Sequence, residues 1–230
     1  MAWIADNIYE VKSRATETEG LMINLFNYFF SRGVSMFMYT ADDLPICFDT
    51  GISENTVEGG FDAIGFKPEH VKQVFLTHSD RDHVGGLNLF KNADVFLSVD
   101  EEQLVNGTTP RFFGHVSNPP LKRPYRLLRD KDIVRVGKTS VEAIATPGHT
   151  LGSMSYLVND SILFVGDTVM LKEGKVRPLS KQFSRDKVHM DIARQTESIK
   201  ELAQLENISL MVTAHTGFTT DFQSAMSAWV

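Results

Sequence analysis

His78, Asp80, Asp82 and His83 place four metal-ligand side chains within six residues, in the stretch Thr77-His78-Ser79-Asp80-Arg81-Asp82-His83-Val84-Gly85-Gly86. Imidazole nitrogen and carboxylate oxygen at such close quarters suit a divalent first-row metal. The run follows the apolar Val74-Phe75-Leu76, so it reads as a loop that leaves a strand and enters a helix at the paired glycines. On an extended chain, positions two apart share a face. His78, Asp80 and Asp82 are therefore expected to converge, with His83 facing a second metal.

Three later segments repeat the pattern of a short apolar strand followed at once by a ligand-type residue. Val141–Thr146 runs into Pro147-Gly148-His149-Thr150, Ile162–Val165 into Gly166-Asp167-Thr168, and Leu210–Thr213 into Ala214-His215-Thr216-Gly217. Loop positions at strand ends, held by a rigid scaffold, are where sites are commonly built. Taken alone, Asp82 before a helix is also a good N-cap, and His149 or Asp167 could be ordinary turn residues. The ordered set of four segments favours ligation.

These motifs, with Asp49-Thr50-Gly51 after Ile46-Cys47-Phe48, resemble those of the metallo-β-lactamase superfamily, from about Trp3 to about Gly217. The resemblance implies a centre of two divalent metal ions, zinc or else iron or manganese. His78, Asp80 and His149 would hold the first, Asp82, His83 and His215 the second, and Asp167 would bridge them. It also implies a hydrolase in which metal-generated hydroxide attacks an ester, thioester or related bond, with Asp82 orienting that hydroxide as the catalytic carboxylate. Asp167 stands in a Gly-Asp-Thr turn like that of glyoxalase II, whereas Met170 stands where the lactonases carry tyrosine.

Asp80 departs from the commoner superfamily pattern, which has His there. It keeps a ligand but adds a negative charge. A weaker Lewis acid, a higher pKa of bound water and a shift toward harder metals are expected. A carboxylate at this position also resembles the flavodiiron proteins. The alternative reading is therefore a diiron oxygen- or NO-reactive protein, a reductase or an oxygen sensor. Lys172, Lys175, Arg177, Lys181, Arg185 and Lys187 follow the Asp167 loop, and Lys175, Arg177 and Lys181 are expected to attract an anionic small-molecule substrate. His115, in a long Gly/Pro/aromatic loop over 106–125, is a further candidate contact.

The elements that must position these residues read as an α/β protein, sharpened by the resemblance to a four-layer αβ/βα sandwich forming one domain over residues 1–230. Strands are expected at 8–11, 22–30, 35–39, 45–48, 95–98, 133–136, 140–146, 153–158 and 161–165, besides those already named. Asp42-Asp43 marks a turn. Helices are expected over 54–72 with a break near Pro68, over 84–91 with Asp82 placed to cap it, over 100–104 and over 190–205. A hydrophobic content of 42% in 230 residues supplies a large core, and a net charge of -6 argues against nucleic-acid binding. The lone Cys47 rules out an internal disulfide framework. The start Met1-Ala2-Trp3-Ile4-Ala5-Asp6 lacks a secretory pattern, and the apolar stretch 21–30 is too short to span a bilayer. A cytoplasmic protein with no membrane partner is expected.

Overall fold

The computed structural model describes residues 2–13, 33–40, 44–111, 118–178 and 190–230. The expected strand at 22–30, the turn at Asp42-Asp43 and the candidates His115 and Lys181 lie outside the described residues.

The first sheet contains seven strands in chain order: β1 (Ala2–Ala5), β2 (Ile8–Ser13), β3 (Val34–Tyr39), β4 (Ile46–Phe48), β5 (Gln73–Phe75), β6 (Asp94–Ser98) and β7 (Arg126–Leu128). Its neighbours from β4 to β7 run parallel. The second sheet takes six strands, in the order β15 (Gly217–Thr219), β14 (Leu210–Thr213), β11 (Ile162–Phe164), β10 (Met154–Val158), β9 (Thr139–Ala145), β8 (Ile133–Val136). A separate hairpin pairs β12 (Val169–Lys172) with β13 (Lys175–Pro178). The helices are α1 (Glu54–Asp62), α2 (Arg81–Val84), α3 (Glu102–Val105), α4 (Ile192–Leu202) and α5 (Phe222–Met226).

Period-two alternation sorts the strand side chains into layers. Phe37 and Tyr39 of β3, Ile46 and Phe48 of β4 and Phe75 of β5 face inward to meet Met154, Tyr156, Phe164 and Val212 of the other sheet. Their alternates Met36, Met38, Cys47 and Val74 face outward to α1, through Val57 and Phe61. Leu157, Leu163 and Met211 face outward from the second sheet to Ile199 and Leu202 of α4 and Phe222 of α5. The expected αβ/βα layering is thus met. At the centre Phe48 stacks on Phe164 across the sheet interface, with ring centroids 3.8 Å apart.

Several boundaries moved. The helix expected over 54–72 ends at Asp62, and a 3-10 turn takes Pro68–His70. In place of the helix expected at 84–91 there is a four-residue helix Arg81–Val84, with Asp80 at the N-cap position, and a 3-10 turn at Leu87–Leu89. Asp82 therefore sits in the first turn and does not cap. No helix among the described residues is long and apolar enough to cross a membrane.

The topology accounts for the position of the site. The parallel strands β4 and β5 end at one edge of the first sheet, where they deliver Asp49 and His78. In the second sheet β11 and β14 are parallel, and β9 runs the same way because it and β11 both pair antiparallel with β10. Their C-terminal ends deliver His149, Asp167 and His215. Bonds between the sheets hold these edges together: Met154 N–H donates to Thr77 O at 2.8 Å, Ser35 N–H to Ala214 O at 2.7 Å, and the Tyr156 hydroxyl to Leu76 O at 2.7 Å.

Candidate metal centre

All seven sequence-predicted ligands meet at this edge, and six of them are buried. His78, Asp80 and His149 form one group of donor atoms, and Asp82, His83 and His215 form another. The split differs from the convergence of His78, Asp80 and Asp82 expected of an extended chain. The backbone is extended only as far as Asp80, and the helical turn from Arg81 swings Asp82 and His83 to the other side.

Asp167 faces both groups. Its Oδ1 lies 3.1 Å from His215 Nε2 and 3.5 Å from His83 Nε2, while its Oδ2 lies 3.4 Å from His149 Nε2 and 3.9 Å from His78 Nε2. Asp82 Oδ2 lies 3.8 Å from His83 Nε2 and 3.7 Å from His215 Nε2. Donors about 2.0–2.1 Å from a tetrahedral ion lie about 3.4 Å from one another, so these edges fit ligands around a metal. His78 and His83 each turn Nε2 into the buried centre without a hydrogen-bond partner. Buried nitrogens left so are costly unless something else binds them. The donor set fits a divalent ion in each group.

The far ring nitrogens of His83, His78 and His215 are anchored. His83 Nδ1 lies 2.8 Å from Asp49 Oδ2, His78 Nδ1 lies 3.0 Å from Thr77 Oγ1, and His215 Nδ1 lies 2.9 Å from Gly33 O. Asp49, at φ +60°, also accepts from the Thr77 backbone N–H at 2.7 Å. Gly166 is at φ +50°, where a Cβ would sit 2.5 Å from Thr77 Oγ1, so glycine lets the Asp167 loop close on the His78 loop. Gln195 of α4 donates to the carbonyls of Asp167 and Thr168 at 3.2 and 2.7 Å, and fixes that loop from behind.

Charge and burial oppose each other here. Burial alone would raise the Asp167 carboxyl, but the imidazoles of His215, His83 and His149 hold it well below its usual range. Burial would likewise lower His83 and His215, and the surrounding carboxylates, Asp167 foremost, override it and raise both. His78 goes the other way, lowered first by burial and then by His83 and His149.

Arg111 escaped the sequence reading. Its guanidinium is fully buried and grips Asp80 with both arms, Nε to Oδ1 at 2.7 Å and Nη2 to Oδ2 at 2.8 Å. Asn118 Nδ2 reaches the same Oδ1 at 3.2 Å and Ser79 Oγ at 2.8 Å. Buried Glu101 accepts from Ser79 N–H and Oγ at 2.7 and 2.6 Å, and from Thr150 Oγ1 at 2.6 Å, which ties the His78 and His149 loops together. The extra negative charge assigned to Asp80, on which the expected weakening of Lewis acidity rested, is thus paired with the Arg111 guanidinium. In sequence Arg111 is a lone arginine in a loop, and no spacing marks it.

Of the proposed substrate contacts, the two among the described residues, Lys175 and Arg177, are not gathered at the centre. The Lys175 ammonium donates to Ser224 O at 2.8 Å, on α5. Arg177 lines a cavity of about 490 Å³ with Met170, Lys172, Ile192, Thr196 and Trp229, and none of the seven ligands lines it.

The sequence profile of the metallo-β-lactamase superfamily matches residues 31–215. The chain belongs to that superfamily. A probable metallo-hydrolase of Methanocaldococcus jannaschii is 28% identical over 164 residues, 71% of this chain and 66% of its own length. A hydroxyacylglutathione hydrolase of Cereibacter sphaeroides is 34% identical over 103 residues, 44% of this chain and 35% of its own length. This superfamily member therefore spans less than two thirds of either relative. The crystal structure of a metallo-β-lactamase family protein from Thermus thermophilus superposes with a TM-score of 0.69 at 18% identity, covering 97% of this chain and 78% of that one, which shows the shared fold.

Proposed function

We propose that this superfamily member is a metal-dependent hydrolase that cleaves an ester, thioester or related bond of a small molecule with two divalent ions at the described centre. The observation that carries the reading is Asp167, whose two carboxylate oxygens face the two donor groups separately. The hydrolase names of the relatives from Methanocaldococcus jannaschii and Cereibacter sphaeroides support the reaction class. When bound, such metals supply activated water and polarise the oxygen of the bond under attack.

The protein's own residues do the rest. His83, His78 and His215 are held by their Nδ1 partners, which leaves Nε2 inward as the nitrogen to ligate a metal. Asp82 has 21% of its side chain exposed, the most open carboxylate of the set, and is placed to accept a hydrogen bond from the attacking water. The water oxygen adds to the carbonyl carbon, the carbon–oxygen or carbon–sulfur bond breaks, and the water's proton reaches the leaving group.

The test is reconstitution of chelator-treated protein with zinc, manganese or ferrous iron under a panel of esters, thioesters and phosphodiesters. Turnover that requires metal and is lost in Asp167→Asn is expected. Turnover insensitive to chelator, or none with any metal, overturns the reading. Two irons per chain with an absorption change on admitting air would instead favour the diiron oxygen-reactive alternative.

A further inference from the structure

We propose that Arg111 is a resident cation of the His78–Asp80–His149 half of the centre and competes there with a metal ion. The half built from Asp82, His83 and His215 then fills first and tightly, and the other half second and weakly. The inference rests on the metal-centre reading above and adds an order of loading to it.

Three contacts carry it. Arg111 Nη2 donates to Asp80 Oδ2 at 2.8 Å and lies 3.3 Å from His149 Nε2. Those two atoms lie 3.3 Å from each other, at the spacing of two ligands to one ion. The oxygen and the nitrogen that a metal would need in this half are therefore both already in contact with one guanidinium nitrogen. A guanidinium keeps its charge at any working pH. A dication entering here must weaken both contacts and approach a fixed positive charge in a poorly screened interior.

Arg111 is also not easily displaced. It is fully buried, and Asp80 is further held by Asn118. The half around His83 differs: the Nδ1 of His83 is held by a carboxylate, which makes its Nε2 a better ligand, whereas the Nδ1 of His78 meets only the Thr77 hydroxyl. The neighbouring Asp82 is partly exposed, so an ion also has a route of entry on this side.

The test is a zinc titration of chelator-treated, full-length protein followed by calorimetry and native mass spectrometry. The wild type should bind zinc in two steps at least about 100-fold apart, and Arg111→Gln should tighten the weaker step about tenfold or more while leaving the first nearly unchanged. A variant-free arm guards against misfolding. At one equivalent of zinc, the imidazole nitrogen signals of His83 and His215 should shift and those of His78 and His149 should not. Two equal steps in the wild type, early shifts at His78 and His149, or a weaker second step in Arg111→Gln would each overturn the proposal. The last would show that Arg111 only supports Asp80. Absence of any zinc binding would overturn the metal-centre reading itself.

Discussion

Asp49 Oδ2 lies 2.8 Å from His83 Nδ1, and the same carboxylate accepts the Thr77 backbone N–H at 2.7 Å. One residue outside the ligand set thus fixes the ring of one ligand and the strand end that carries another, His78. A carboxylate behind a ligating imidazole sets its tautomer and raises its basicity. Asp49→Asn keeps the size, and asparagine tolerates φ +60° nearly as well as aspartate. Fold and melting cooperativity should persist while zinc affinity falls by about 10–100-fold. Competition against a chromophoric chelator measures this, and unchanged affinity would show that the contact is only structural.

The metal-free protein should lose stability as pH rises above about 6.5, the unperturbed histidine value. His83 and His215 are raised in the folded state by the carboxylates around them, after burial has pulled the other way. Above the unfolded pKa the native state binds more protons than the unfolded chain, so stability declines as pH climbs through the raised values. His78 is lowered, and its opposite contribution falls below that pH. Bound metal replaces the protons, so the zinc-loaded protein should not show this decline. Parallel melts at pH 6.5 and 8 with and without chelator decide it, and equal slopes in the two forms would count against the assignment.

The ligands were legible because each follows an apolar strand and the strand order is imposed by alternation. Val74-Phe75 and Leu163-Phe164 announce burial on both faces, so what comes next must leave the sheet at an edge. What was not legible depends on partners distant in the chain. Arg111 is 31 residues from Asp80, and nothing near it in sequence says that its guanidinium goes inward. The split of Asp82 from Asp80 was implied by the family resemblance but not by local geometry, because the extended-chain argument does not hold where a helix begins at Arg81. The β12–β13 hairpin did carry a signal. Glu173-Gly174 between Lys172 and Lys175 is a two-residue turn with both central residues at positive φ.

Phe48 and Phe164 hold the two halves of the sandwich together, with planes 13° apart and ring centroids at 3.8 Å. The strands bearing them end in Asp49 and, beyond Val165 and Gly166, in Asp167. Phe48→Ala should cost about 3–5 kcal/mol, the usual range for emptying a buried aromatic position. Because both loops hang from this contact, metal affinity should fall along with stability. A variant that melts lower but binds zinc as the wild type does would separate core from site.

Asp80→His restores the commoner ligand pattern, and from sequence alone it should lower the pKa of the acid limb of the pH–rate profile. The structure predicts a different outcome. The substitution removes the carboxylate held at both oxygens by Arg111 and leaves that guanidinium buried beside a new imidazole. Breaking such a buried pair costs about 3–5 kcal/mol. Asp80→His should therefore fold poorly, whereas Asp80→His with Arg111→Met, which removes the charge and fills the space with an apolar chain, should recover most of the loss. Chemical denaturation of the single and double variants gives the coupling energy. If the single variant is as stable as the wild type, the Asp80–Arg111 pair is not what holds this half of the centre together.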